Sequence, residues 1–448
     1  MNKLLYLLIV AMVTPMLSGC LGNGSSAPPP SNITATAGDG RVMLTWTGDP
    51  GVDYWLFTAT APGLTAFNWT GLPNARAFTR VASPYYLCSL FSGTPYYFAM
   101  NGRINGGPGG DSSPTVSATP YDATFAWKLH TTSLIQSIYG VGYTSQTTCS
   151  NNNPTSAAGS FVAVGANGAI FTSDKTDGIT NGLNWNDRSL SGYLYNLNAV
   201  AGYAANQNNP TNPALRWVAV GDGGASYYSL DSITWDVGNA YNSTSPSLRS
   251  ITQVAGRFFA VGDAGTILSS PDGITWTTHN SPSVSASNLY GVTHGTLYVA
   301  VGYSGTILTS GDGNTWAVKT PTPSISTTIL RQVASSGPIF VAVGDAGTIV
   351  TSKDSGVTWT AQTLTGSPSL VGVTAEFHLV ANALTDPVLG YISIAQFVAV
   401  DSAGNAYTSP NGITWSVATS TGISTNALVS SGFGYVAAGN AGATAYAF

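Results

Sequence analysis

The sequence predicts an all-β chain: a ring of seven four-stranded sheets, with a small β-sandwich ahead of it. A stretch from Phe258 to Trp276, FFAVGDAGTILSSPDGITW, returns repeatedly from Phe161 onward. Every copy alternates short β-branched or aromatic runs with Gly-containing turns and lacks the 3.6-residue apolar period of a helix. Charged residues make up only 7% of the 448, against about 25% in an average globular protein. Gly, Ser, Thr, Asn and Tyr take their place.

The copies run Phe161–Trp185, Arg216–Trp235, Phe258–Trp276, Tyr298–Trp316, Phe340–Trp359 and Phe397–Trp415, and a last one, YVAAGNAGATAYAF, ends at Phe448. Recurrence at roughly 40 to 58 residues is the mark of a repeat architecture. Within a copy, F-V-A-V-G is one strand, T-I-L-T-S a second and the residues after T-W a third. A fourth lies about ten residues upstream, at Ile138–Val141, Leu197–Val200, Leu248–Ile251, Leu289–Val292, Leu330–Val333 and Leu370–Val373. Four strands in so short a stretch form one blade. A lone blade has two faces to bury, so blades stack around an axis as a β-propeller. Six copies carry all four strands, and the seventh stops after its third. The segment Ala123–His130, with Trp127 placed like the Trp of a repeat, predicts the missing outer strand. The expectation is a seven-bladed β-propeller closed by an N-terminal strand, occupying residues 122–448.

Between the third and fourth strands sits an Asp box, full-length as Ser352-Lys-Asp354-Ser-Gly356-Val-Thr358-Trp359. Shorter versions carry Asp231 with Trp235, Asp272 with Trp276, and Asp312 with Trp316. Ser and Asp side chains bond back to turn backbone, Gly supplies the positive φ, and the Trp covers the joint between blades. Carboxylates repeated at equivalent places in successive blades read as structural, since an active site is not distributed around a ring.

Residues 1–20 read as a targeting segment, with Lys3, an apolar run from Leu4 to Val13, and Leu17-Ser-Gly-Cys20. That ending resembles a bacterial lipobox. The resemblance implies acylation of Cys20 and, with Leu21 next, a lipoprotein of the outer membrane facing the periplasm or the cell surface. Residues 21–31, with three consecutive prolines, read as a tether. In residues 32–121, Val42–Trp46 gives a strand with an inward Trp, and Leu87, Leu90, Gly93, Thr94, Tyr96 and Phe98 follow the L-x-x-L-x-x-G-T-x-Y-x-F pattern. This segment resembles a fibronectin type III domain, which implies a sandwich of seven short strands.

Three insertions, at 144–160, 204–215 and about 375–395, fall between the first and second strands of a blade, on the Asp-box face. The first contains the Asn-rich stretch Ser150–Ser156, which fits a functional loop or mere filler. Cys88 and Cys149 are a candidate disulfide in an oxidising envelope, with bonding geometry left open.

The net charge of −5, without a basic stripe, argues against nucleic acid as a partner. His130, His279, His294 and His378 show no metal-ligand spacing, and no cofactor is expected. The Asp-box propeller resembles two families. One is the sialidases, whose likeness would imply an arginine cluster, a Tyr–Glu nucleophile pair and an acidic Asp. Glu376 is the sole glutamate and is read within an insertion, and Arg188, Arg216, Arg249, Arg257 and Arg331 give no assignable cluster. A sialidase-like glycoside hydrolase is therefore the alternative reading. The other is the photosystem II assembly and stability factors, non-catalytic propellers that share the G-x-x-G-T-I-L-x-S-x-D-G-x-T-W rhythm. That family's client patch is arginine-lined. Here the second residue of the innermost strand reads Tyr139, Asn198, Arg249, Tyr290, Arg331 and Val371, so the first five are ligand candidates with only two basic members. The resemblance implies a binding or assembly scaffold and no more, since the lipid anchor and the fibronectin module depart from that family. With the lipobox, the expected partner is an envelope protein or glycan, met at the membrane.

Overall fold

The computed structural model describes residues 24–38, 41–87, 90, 93–120, 127–130, 136–144, 160–173, 185–190, 192, 195–204, 215–238, 246–279, 287–381, 391–430 and 434–447. Cys20, Cys88 and Cys149 lie outside these residues, as does most of the first two insertions. The chain divides into two compact units, with the boundary between Asp122 and Ala123. Among the described residues no α-helix occurs, and none is long and apolar enough to cross a membrane.

The first unit is two sheets. The larger orders Ser25–Ala27, Tyr96–Ile104, Asp53–Ala59 and Arg76–Val81, with Val116–Ala118 also on Tyr96–Ile104. The smaller orders Ser31–Gly38, Arg41–Thr47 and Tyr85–Leu87. Leu44, Trp46, Leu56 and Phe98 meet in the core between them. The tether expectation needs correcting, since Ser25–Ala27 pairs with Gly102–Ile104 and Ala27 is buried. Prolines donate no backbone hydrogen bond and so read as linker. The three residues before them nevertheless find a free sheet edge.

Among the described residues the second unit holds seven four-stranded antiparallel sheets. Their innermost strands are Ile138–Thr144, Leu197–Ala204, Leu248–Val254, Leu289–His294, Leu330–Ser336, Leu370–Ala381 and Thr425–Ser430. Each packs on the next, and the last packs on the first, so the unit is a closed β-propeller. The second strands are apolar on both sides because both faces are covered. In Arg257–Gly262, Phe258 and Ala260 face the second sheet, while Phe259 and Val261 face the fourth. In every sheet but the sixth, the second and third strands are joined by a tight turn with two left-handed residues, as at Ala264 (φ 54°) and Gly265 (φ 71°). Thr266 N closes it on Asp263 O at 3.1 Å, the geometry whose twist suits a hairpin.

Every joint between sheets has its own hydrophobic cluster, and each has a Trp. Trp235 fills the joint between sheets one and two, Trp316 that between three and four, and Trp359 that between four and five. Trp276, Trp415, Trp127 and Trp185 pack against the remaining four.

The outer strand of the seventh sheet is Lys128–His130, paired with Thr444–Tyr446. The third insertion is largely strand. Leu370–Ala381 pairs along its length with Tyr391–Asp401, and only 382–390 lie outside the described residues. Glu376 therefore sits in a strand and is buried, where the sequence had suggested a loop.

Because the seventh sheet takes its outer strand from upstream of the repeats, a truncation starting at residue 131 should expose the edge of Thr444–Ala447 and aggregate. One starting at residue 121 should elute as a folded monomer on size exclusion. Equal behaviour of the two would remove the closing role of Lys128–His130.

Candidate functional site

In all seven innermost strands the pairing register slips at the same point, immediately before the third residue. The slipped residues are Tyr139, Asn198, Arg249, Tyr290, Arg331, Val371 and Asn426. A bulge leaves one residue outside the ladder and turns its side chain away from the sheet face. All seven line a central channel of about 740 Å³. Six of them are the series aligned from the sequence. Asn426 was missed, although Thr425 precedes Tyr435 by the same ten residues that separate Leu248 from Phe258.

Each innermost strand begins at the end of the ring that holds the turns between second and third strands. The bulge ring is therefore at that turn end, while the Asp boxes and the insertions are at the other.

Several ring members are committed to the frame. Asn198 Nδ2 donates to Leu248 O of the next sheet at 2.9 Å, and Asn426 Nδ2 does the same to Ile138 O at 3.0 Å. Arg249 donates to Asp263 through Nε at 3.0 Å and Nη2 at 2.7 Å, and through Nη1 to Asp222 Oδ1 at 3.2 Å. The hydrogen bonds from Arg249 to Asp263 raise the guanidinium pKa above its ordinary value, so it stays charged. Arg331 holds Asp345 through Nε at 2.6 Å and Nη2 at 3.1 Å, and Ser369 Oγ donates to the same carboxylate at 3.0 Å. The two arginines are thus ion-paired within the fold, and the sequence showed only their charge. Tyr139, Tyr290 and Val371 present side chains to the channel mouth, with Asn288 Nδ2 3.5 Å from Tyr290 OH. The partners Asp222, Asp263 and Asp345 open the turns and were legible as D-x-G.

At the opposite end the Asp-box carboxylates are consumed by their turns. Asp272 Oδ1 accepts from Ile274 N at 2.9 Å and Thr275 N at 2.7 Å, and Ser270 Oγ accepts from Gly273 N at 2.7 Å. Asp231, Asp312 and Asp354 take equivalent bonds. In the sixth sheet Asn411 makes the same pair, to Ile413 N and Thr414 N, both at 2.8 Å. A carbonyl oxygen accepts the same two bonds, so the turn can form on a neutral acceptor, and the carboxylate charge strengthens it. The box Gly is fixed by two demands. Gly313 has φ 75°, and a Cβ there would stand 2.5 Å from Phe259 Cε1 of the preceding sheet. The indoles of Trp316 and Trp359 close the box by donating to Gly313 O at 3.2 Å and Gly356 O at 3.1 Å. Backbone donors hold the Asp312 carboxyl at about 2, and the Thr358 hydroxyl and amide do the same for Asp354.

The remaining polar groups are spent separately. Arg188 donates to Thr172 Oγ1 at 3.3 Å and Arg216 to Pro271 O at 3.4 Å. Arg257 donates to Ser269 Oγ at 2.9 Å, and Ser269 Oγ lies 2.7 Å from His279 Nε2. Ser269 is fully buried, so this Ser–His contact offers no nucleophile to a substrate. Burial, with Arg257 adding to it, lowers the His279 pKa. Among the described residues no three His, Cys, Asp or Glu side chains gather as a metal site.

Residues 214–329, which span the third and fourth sheets and most of the second, match the DUF6242 beta propeller domain. No curated protein matches the sequence. Among solved structures, YCF48 from Cyanidioschyzon merolae aligns with a TM-score of 0.51 at 14% identity, over 72% of this chain and 98% of that one. Virginiamycin B lyase from Staphylococcus aureus aligns with a TM-score of 0.52 at 12% identity, over 72% and 99%. The WD40 β-propeller domain of Doa1 gives 0.51 at 10% identity, over 72% and 97%. At such identities the likeness is one of fold, and the β-propeller is what these chains share.

Two outcomes follow from the Asp-box geometry. Asp272→Asn, which keeps the acceptor and loses the charge, should destabilise less than Asp272→Ala, which should cost about 1 kcal/mol in denaturant unfolding. Equal losses would show that the charge, and not the acceptor, holds the turn. Second, Asp312 and Asp354 lose their protons more readily folded than unfolded. The stability they add is complete above the ordinary carboxylate range and is lost as the pH falls toward about 2. Melting followed from pH 7 downward should stay flat to about pH 4 and fall below it.

Proposed function

We propose that this chain is a non-catalytic binding scaffold of the bacterial envelope that takes a protein partner at the turn end of its propeller. In this reading the propeller is seven-bladed, the first unit is a fibronectin type III module acting as a spacer, and acylated Cys20 anchors the protein to the membrane.

The observation that carries the reading is the division of labour between the two ends. At the Asp-box end, side-chain chemistry is turned inward to hold turns. At the other end a rigid ring presents Tyr139, Tyr290 and Val371, with Tyr303 nearby and half exposed. Aromatic groups on a pre-ordered frame lose little freedom on binding and are enriched at interface hot spots. The carboxylate supply supports the same reading. Glu376 is buried in a strand, and Asp222, Asp263 and Asp345 at one end and Asp231, Asp272, Asp312 and Asp354 at the other are engaged in ion pairs or turns.

The test is capture of envelope proteins on the immobilised full chain, read by mass spectrometry. Tyr139→Ala/Tyr290→Ala should lose the captured partner while the circular dichroism spectrum is kept. Ile233→Ala/Val357→Ala, at the Asp-box end, should capture it as the wild type does. The opposite pattern would move the binding face to the other end. Release of a fluorogenic sugar by the wild type, abolished in Glu376→Gln, would replace the reading with a glycosidase.

A further inference from the structure

We propose that the arc of the turn end crossing the second, third and fourth sheets recognises a basic side chain in an extended segment of the partner protein, an inference that rests on the binding reading above.

The arc is continuous. Tyr195, half exposed, lies against the turn of the second sheet, where a Cβ on Gly223 would be 3.3 Å from its ring. Next to Gly223, Asp222 receives Arg249 of the third sheet, which also holds Asp263. Ala264 N then donates to Asn288 Oδ1 at 3.0 Å. Asn288 reaches the fourth sheet twice, its Nδ2 3.5 Å from Tyr290 OH and its backbone O accepting from Tyr303 N at 2.8 Å. Three tyrosines thus flank one charged group, and two of them, Tyr195 and Tyr303, are 51% exposed.

The charge of that group decides the partner. Asp222 and Asp263 face one guanidinium, which leaves a net charge of −1 (two carboxylates against Arg249). Across the ring Arg331 and Asp345 balance one to one. Among the described residues, the other cations at this end stand at or just after outer strands: Lys319, which ends Ala317–Lys319 of the fourth sheet, and Arg188, which donates to Thr172 Oγ1. Of the seven segments that lead into an innermost strand, six (131–137, 239–247, 280–288, 320–329, 364–369 and 418–424) contain no Asp, Glu, Lys or Arg. Among the inner strands of this arc, an uncancelled carboxylate with tyrosines to either side suits an ammonium or guanidinium. The carboxylate supplies Coulomb attraction and the tyrosine faces supply cation–π contact. The width of three sheets suits an extended segment better than a free small cation.

The test uses fluorescence anisotropy on the full chain with a fluorescein-labelled nonapeptide made of three Gly-Ser-Lys units, and its Gly-Ser-Glu counterpart. The Lys peptide should bind at least about tenfold more tightly than the Glu peptide, and added salt should weaken it. Tyr195→Ala/Tyr303→Ala should weaken it about fivefold or more. Asp222→Asn, which keeps an oxygen for Arg249 and Asn198, gives up the one that accepts from Asn196 Nδ2 at 3.0 Å and removes the excess charge, should weaken it as well. Equal binding of the two peptides, or Lys-peptide binding indifferent to all three substitutions, would overturn the inference. Envelope capture that persists while the Lys peptide fails to bind would sink this inference alone and leave the binding reading standing.

Discussion

Each sheet of the ring has two apolar faces, and neither can be covered from within its own repeat. That constraint organises the molecule. It explains why second strands such as Arg257–Gly262 are apolar without alternation, and why the core is seven separate clusters. It also explains why each cluster carries a Trp at its edge. The same demand makes the last joint depend on the first sheet, and the last sheet on a strand from upstream of the repeats.

Polar chemistry in this chain is mostly subordinate to that packing. The Asp boxes tie the turns that bring each Trp onto its neighbour, and Asn411 shows that a neutral acceptor can make the same tie. At the other end, bonds cross the joints in the same spirit. Asn198 and Asn426 reach a carbonyl of the next sheet, and Arg249 spans two sheets. A ring fixed this firmly presents its mouth as a pre-ordered surface. The few groups there with exposed faces, chiefly tyrosines, bear on recognition because the others are already occupied.

The two ends also differ in how they vary from sheet to sheet. The Asp-box end repeats nearly the same side chains, because every box performs the same task. The bulge position changes at almost every step, from Tyr139 to Asn198, Arg249, Tyr290, Arg331, Val371 and Asn426. Since the bulge side chain leaves the ladder, no one residue type is demanded there, and each sheet commits the position differently, as the bonds of Asn198, Arg249, Arg331 and Asn426 show.

The sequence by itself determined the strand order of each repeat, the turn chemistry of the Asp boxes and the bulge series up to Val371. Those are local patterns of period two and of turn residues, and they need no distant partner to be read. Other features were decided only in three dimensions. Ser25–Ala27 reads as linker until a sheet edge lies beside it. Glu376 reads as a loop residue until Leu370–Ala381 finds its long partner strand. Arg249 and Arg331 read as free cations until folding sets the turn aspartates within hydrogen-bond reach. In each case the deciding contact joins residues far apart along the chain or in different strands, and composition and spacing carry no record of such distances.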